Sequence, residues 1–284
     1  MTAQKDPLIR QIEAVTFTDG EIKRIMNLAA AEVGSMSTEA AVRSAQKGLA
    51  NLAVQTWGDV GDAVKVGISD AAWNATEFQA LFDEELFTKA GVSSRYWRAS
   101  MFATAQEGVQ NVISRKENGI ALSDRIWKNS KIAQQGLNDT INVGLALGKS
   151  PQEIAASVKG YLRPDVPGGA SAAALRLGRS EVLNAYHTTT VRGYKATPWI
   201  ERAQWNLSGS HPRPDKCNEY AEHSAGPKWP AGTYLIDQIP DKPHPNCLCF
   251  VTPVQLDLDT YVKNFKAGKY DDYIEKQMGC YRNG

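Results

Sequence analysis

At 284 residues the chain can build one large domain or two modest ones around a real core, and 42% hydrophobic with 22% charged residues is ordinary globular composition. A net charge of +1, from 32 basic and 31 acidic residues, disfavours a dedicated nucleic-acid-binding surface, whose phosphate contacts come mainly from Lys and Arg. No apolar run reaches the length of a membrane span. Met1-Thr2-Ala3-Gln4-Lys5-Asp6 lacks the layout of a secretory signal, so a cytosolic product is expected.

Residues 1–198 read as a helical body. Thr18-Asp19-Gly20-Glu21 has the form of a capping box and predicts a helix running to Gly34. A second helix is expected from Ser37 or Thr38, with Val42, Ala45, Leu49, Ala53, Trp57, Val60 and Val64 on one apolar face. Another opens at Ser93 or Ser94 and carries Trp97, Met101, Ala105, Val109 and Val112. The next spans Leu122 to Leu147, stopped by Gly148. Ser150-Pro151-Gln152-Glu153 supplies an N-cap, a proline at the first helical position and a glutamate three residues after the cap, opening a short helix with Ile154, Val158 and Leu162. Pro164 and Pro167-Gly168-Gly169 form a loop before a helix from about Ser171 to Lys195. Within that helix Arg179 and Glu181 do not share a face, so they are expected to pair with different neighbours and to pin the body against the loop module.

The composition changes after Pro198. Residues 199–255 hold most of the 13 prolines, three of the four cysteines and three of the four histidines, which forbids long helices. A small loop-rich module is expected there, with short strands near Ala203–Leu207 and Cys249–Thr252. Residues 256–284 regain helical spacing through Tyr261, Phe265, Tyr273 and Ile274 and read as a docking arm or terminal helix. The expected fold is therefore mainly α: a multi-helix N-terminal body, a small α+β module with a zinc knuckle, and a C-terminal helical tail.

Chemistry concentrates in His211-Pro-Arg-Pro-Asp215-Lys-Cys217 and His244-Pro-Asn-Cys247-Leu-Cys249. In an extended segment Cys247 and Cys249 face the same side. With Cys217 and His244 they would complete a tetrahedral zinc site; His211 is the reserve fourth ligand and His223 a weaker one. The alternative is a set of buried free thiols beneath the loops. Cys280 stands apart. The signatures of zinc deaminases, zinc metalloproteases, P-loop nucleotide binding and serine hydrolases are absent, and no catalytic residue is assigned.

Taken in order, Arg179-Ser180-Glu181, Trp205, Asp215-Lys216-Cys217 and His244-Pro245-Asn246-Cys247-Leu248-Cys249 resemble the Mu F-like minor head proteins, the phage head-morphogenesis family. The resemblance covers about residues 170–255. Tyr220 stands where many members place a second cysteine, and Leu248 where many place arginine. The resemblance implies a non-enzymatic virion protein, made in the host cytoplasm and carried inside the capsid. Its partners would be the portal protein, the major capsid or scaffolding protein, and packaged DNA, and its role head assembly, packaging or ejection. The competing expectations are a zinc-stapled nucleic-acid-binding module using Arg202, Arg213, Lys216, Lys228 and Lys242, and a zinc-dependent enzyme.

Overall fold

The computed structural model describes residues 7–33, 39–89, 91, 97–117, 119–163, 167–211, 214–254 and 256–275. The expected helix signals at Gly34, Ser37, Thr38, Ser93 and Ser94, as well as Pro164, Arg213 and Cys280, lie outside these residues. So do the side chains of Ala45, Leu49, Trp97 and Met101. The chain is mainly α with a small antiparallel sheet, as the sequence predicts. The helices are α1 (Pro7–Val33), α2 (Glu39–Lys89), α3 (Trp97–Ser114), α4 (Leu122–Ala146), α5 (Pro151–Leu162), α6 (Ala170–Ala196), α7 (Lys216–Glu222) and α8 (Leu258–Lys266). The strands are β1 (Lys116–Glu117), β2 (Ile120–Ala121), β3 (Arg202–Asn206), β4 (Thr233–Leu235) and β5 (Phe250–Val254).

Described residues fall into two compact units whose boundaries cut through α1, α2 and α6 and just inside the C-terminal end of α3. One draws on Met1–Ala14, Ile68–Val112 and Val182–Gly284; the other on Val15–Gly67 and Ile113–Glu181.

In the second unit the expected start at Thr18 is not a start. The helix α1 runs straight through it, and Thr18 is fully buried between Ala14 and Ile22 at helical spacing. Tertiary burial of that stripe overrides the local capping signal. Asp19 instead accepts a two-pronged hydrogen bond from the Arg179 guanidinium, at 2.6–3.0 Å. Glu181, with no exposed surface, takes Arg125 at 2.5 Å and lies 3.7 Å from Arg115. Arg179 and Glu181 thus find different partners, as their spacing requires. Both partners belong to the helical part and neither to the loop module, which corrects the expected pinning role. The signal at Ser150 is genuine: its hydroxyl accepts from the Glu153 amide, and Glu153 reaches back to the Ser150 amide. Gly148, at φ 66°, closes the preceding helix.

In the first unit β3 is the central strand of the order β4-β3-β5, antiparallel on both sides. Ala203 and Trp205 point into the core while Arg202, Gln204 and Asn206 lie at its margin. Pro253 sits opposite Ala203 on the edge strand β5, where its missing N–H costs no ladder bond. The elements α7 and β4 here, and β1 and β2 in the other unit, were not expected from the sequence.

The module shares one apolar cluster with Leu86 and Phe87 of α2, Tyr194 of α6, and Tyr261 and Tyr270 of the tail. At its heart Trp199 meets Phe87, Tyr261, Tyr270 and Tyr273 edge-on, with ring centroids 5.4–5.7 Å apart. Its indole N–H donates to Asp83 at 2.9 Å, and Gln79 donates to the other oxygen of that carboxylate. The expected terminal helix is present through Lys266, with its Tyr261 fully buried.

Glu181→Ala would leave two arginines facing a buried void. A loss on the order of 3 kcal/mol of stability is expected, measured by urea unfolding against Glu181→Gln, which keeps the volume and one acceptor.

Candidate metal centre

The site is assembled by two turns. Past β3, the hydroxyl of Ser208 accepts from the Ser210 amide and its carbonyl from the His211 amide, bending the chain back across the sheet end. Asp215 then caps α7, accepting from the Cys217 amide at 2.7 Å, while Asn218 Oδ1 accepts from the Asp215 amide at 3.0 Å. The cap directs Cys217 inward, where it is 0% exposed. The second turn is Pro245-Asn246. Asn246 adopts φ 59°, a left-handed conformation that asparagine tolerates better than most residues. Beyond it Cys247 and Cys249 are buried while Leu248 between them is partly exposed, the alternation expected of an extended segment. Gly232 (φ 79°) completes the frame: a Cβ there would sit 2.7 Å from the Trp205 carbonyl oxygen.

These turns bring five donor atoms together. Cys217 Sγ lies 3.4 Å from Cys247 Sγ and 3.4 Å from His244 Nε2, and Cys249 Sγ lies 3.9 Å from His211 Nδ1. Cys217 belongs to both groups, His211–Cys217–Cys249 and Cys217–His244–Cys247, within each of which all ligand atoms lie inside 4.8 Å. Bond lengths of about 2.3 Å to sulfur and 2.0–2.1 Å to nitrogen give tetrahedral edges of roughly 3.5–3.8 Å, close to the three distances above, so the cluster could hold a metal ion. The three cysteines are free thiols.

Hydrogen bonds orient both imidazoles for coordination. His244 Nδ1 lies 2.9 Å from the Pro245 carbonyl oxygen and must donate to it, leaving Nε2 as the lone-pair nitrogen that faces Cys217. His211 Nε2 lies 2.8 Å from Asn218 Oδ1, which leaves Nδ1 facing Cys249. Asp215 lies 3.1 Å from His244 Nε2, the nitrogen that also faces Cys217, and 3.6 Å from His211 Nε2. A carbonyl that accepts from the far ring nitrogen, as Pro245 does from His244 Nδ1, raises the basicity of a metal-bound histidine.

Electrostatics of the metal-free thiols point the same way. Burial pushes Cys217 up to about 12. Cys247 is also pushed up, first by the hydrogen bond it gives to Cys249 and then by burial. That same hydrogen bond, with a backbone bond from Ser208, pulls Cys249 down to about 5 against the effect of burial. Of the two thiols sharing that hydrogen bond, the acceptor Cys249 is the more readily ionised. A dication would release the remaining thiol protons. Burial works against the Asp215 carboxylate, yet the Cys217 amide and the two histidines hold it below its ordinary range.

All four expected ligands, Cys217, His244, Cys247 and Cys249, therefore meet, and the reserve ligand His211 meets them too. His223 does not: it stacks on Tyr234, centroids 4.3 Å apart. Tyr220 turns away onto Trp205 at 5.2 Å. Sequence reasoning missed the supporting roles of Asp215 and Asn218, although Asp-x-x-Asn before a short helix is a cap signal. It also misassigned Lys242, whose Nζ points inward onto the carbonyls of Cys247 and Cys249. The chain was compared with family models, curated proteins and solved structures, and no match was found in any of them.

Two outcomes are expected. Asn246→Val forces a β-branched residue into left-handed backbone and should cost about 1–3 kcal/mol, with Asn246→Gly costing less, by thermal or urea unfolding. His187 donates to the Pro240 carbonyl and packs on Trp205, and burial pulls it down to about 3 from 6.5. Above pH 6.5 it is neutral folded or unfolded. Between 6.5 and 3 only the unfolded chain takes the proton, so stability falls as the solution is acidified. In a pH series of denaturation curves, His187→Asn should flatten that slope.

Proposed function

We propose that Cys217, Cys247, Cys249 and His244 hold a structural zinc ion, and that the chain is a minor head protein of a tailed bacteriophage, of the Mu F-like kind. The observation that carries the zinc reading is the convergence of three buried thiols with imidazoles whose lone pairs are turned towards them by hydrogen bonds. Thiolate-rich sites select zinc and other soft ions over magnesium or calcium.

The head-protein reading rests on the ordered motifs from Arg179 to Cys249. The part each plays in the fold supports it. Arg179 and Glu181 are spent on ion pairs, Trp205 on the core beneath the sheet, and Asp215 on capping and histidine orientation. These are the tasks of a rigid adaptor. Among the described residues no helix is long and apolar enough to cross a membrane. The chain would act inside the capsid, at the portal, during head assembly and DNA packaging or ejection, with the portal protein as partner and capsid or scaffolding protein as neighbours.

The nucleic-acid-binding alternative loses ground on its own residues. Lys242 turns inward, Lys216 pairs with Glu219, and Arg202 lies over the Trp229 ring at 4.7 Å. An enzyme reading needs an open coordination position, whereas the structural-zinc reading fills all four positions with protein donors.

Quantitative mass spectrometry of purified particles tests the head-protein reading. A few to a few tens of copies per particle, retained through stringent washing, are expected. A chain found only in infected-cell cytosol would contradict it. Elemental analysis of the purified chain should give one zinc per chain.

A further inference from the structure

Two exposed surfaces of the unit built from Val15–Gly67 and Ile113–Glu181 take no part in the metal centre. The first is an open groove of about 680 Å³ between α1 and the middle of α2. Phe17, Leu28 and Val66 line it and are 51%, 60% and 49% exposed, so three large apolar side chains in one groove face solvent. Three carboxylates stand along it, those of Glu21, Asp59 and Asp62. Glu21 pairs with Arg24 and Asp62 with Lys65, which leaves the groove a negative excess. An apolar groove with carboxylates along it repels nucleic acid and suits an apolar helix face flanked by lysines.

The second surface is such a face. On the outer side of α4, Ile132, Val143 and, just past the helix end, Leu147 are 53%, 55% and 69% exposed. Their helical spacing places them on one stripe. Lys128 and Lys131 are exposed beside it and Lys149 follows it, against Asp124 and Asp139, a positive excess. Phe17 and Leu28 lie as far apart along α1 as Ile132 and Val143 along α4, about 16 Å. The stripe cannot turn into the groove of its own chain, because the other side of α4 is committed to the core. Ile126 fills the space beside Gly61 of α2, and Ala133, Leu137 and Ile141 are buried.

We propose that the exposed stripe of α4 from one copy docks in the α1–α2 groove of a second copy, so that the chain associates with itself head to tail. Apolar side chains meet in the groove, and the lysines of the helix face its carboxylates. The two surfaces are different, so a copy that fills its neighbour's groove still offers its own. Such an interface builds rings or open chains and does not stop at a dimer. The proposal rests on neither the metal reading nor the head-protein reading.

Sedimentation velocity of the full chain, under reducing conditions and over a concentration series, tests it. The wild-type mass should rise with concentration past that of a dimer. Leu28→Asp spoils the groove and Val143→Asp the helix face. Both are surface positions, so each variant should keep the wild-type circular dichroism and Tm while staying monomeric. The mixture of the two is the decisive sample. One variant retains a working helix face and the other a working groove, so one interface forms per pair. The mixture should therefore give one-to-one dimers and nothing larger. Lys128→Glu should weaken association several-fold. A wild type that is monomeric at every concentration would overturn the proposal and leave the groove to a different protein. Association that stops at a dimer, that either aspartate variant leaves intact, or that Lys128→Glu does not weaken would overturn it too. So would a mixture that stays monomeric. Should an aspartate variant misfold, Phe17→Asp and Leu147→Asp put the same question to the same two surfaces.

Discussion

Three sulfur atoms, one from the first turn of α7 and two from the strand-like segment before β5, have to meet for residues 202–254 to hold their shape. This stretch has a three-stranded sheet of short strands, a seven-residue helix and loops stiffened by proline. Few backbone hydrogen bonds cross between its halves beyond those of β3 with its neighbours. Cys217 is drawn from the first half of the module, and Cys247 and Cys249 from the second. The proposed metal ion would bridge them and tie the two halves at the point where the sheet ends. Free energy of metal binding then becomes free energy of folding.

The surroundings prepare that point. Asp215 caps α7, aiming the Cys217 thiol inward, and its carboxylate lies within 3.1–3.6 Å of the Nε2 atoms of both His244 and His211. Asn218 closes the cap and fixes the tautomer of His211 with the same oxygen. On the inner side the sulfurs adjoin the cluster that contains Trp199 and Trp205, which excludes water and strengthens every charge interaction nearby. The tail joins the same cluster through Tyr261 and Tyr270, so residues far apart in sequence share one core with the knuckle.

How much of this was legible in the sequence depended on how local each signal was. The start at Ser150 could be read because the cap is complete within four residues and nothing distant competes with it. The similar pattern at Thr18 failed because Thr18 falls on the buried stripe of a longer helix, and burial is a tertiary fact. The helices α4, α5 and α6 and the two longer strands appeared within a residue or two of expectation, because periodicity reports them directly. The three-residue β4 and the seven-residue α7 were too short to leave a periodic trace. At the site, the ligand residues were legible from type and spacing. Lys242 was not: a lysine between Asp241 and Pro243 reads as solvated, and only the fold places carbonyl oxygens around its ammonium. The sequence placed His244 ahead of His211, whereas the fold brings both to the sulfurs, His244 to Cys217 and His211 to Cys249.

The central claim is that a metal–thiolate knot holds the β3–β5 module and the tail in one core. Hydrogen–deuterium exchange on the full chain, with and without a strong chelator under reducing conditions, tests it most directly. The account predicts that chelation strips protection from β3, β5 and α8 while α4 and α5, which belong to the other unit, keep theirs. Unchanged protection across β3, β5 and α8 in a chain confirmed to be metal-free would contradict it, and the three cysteines would then be buried thiols of an ordinary core.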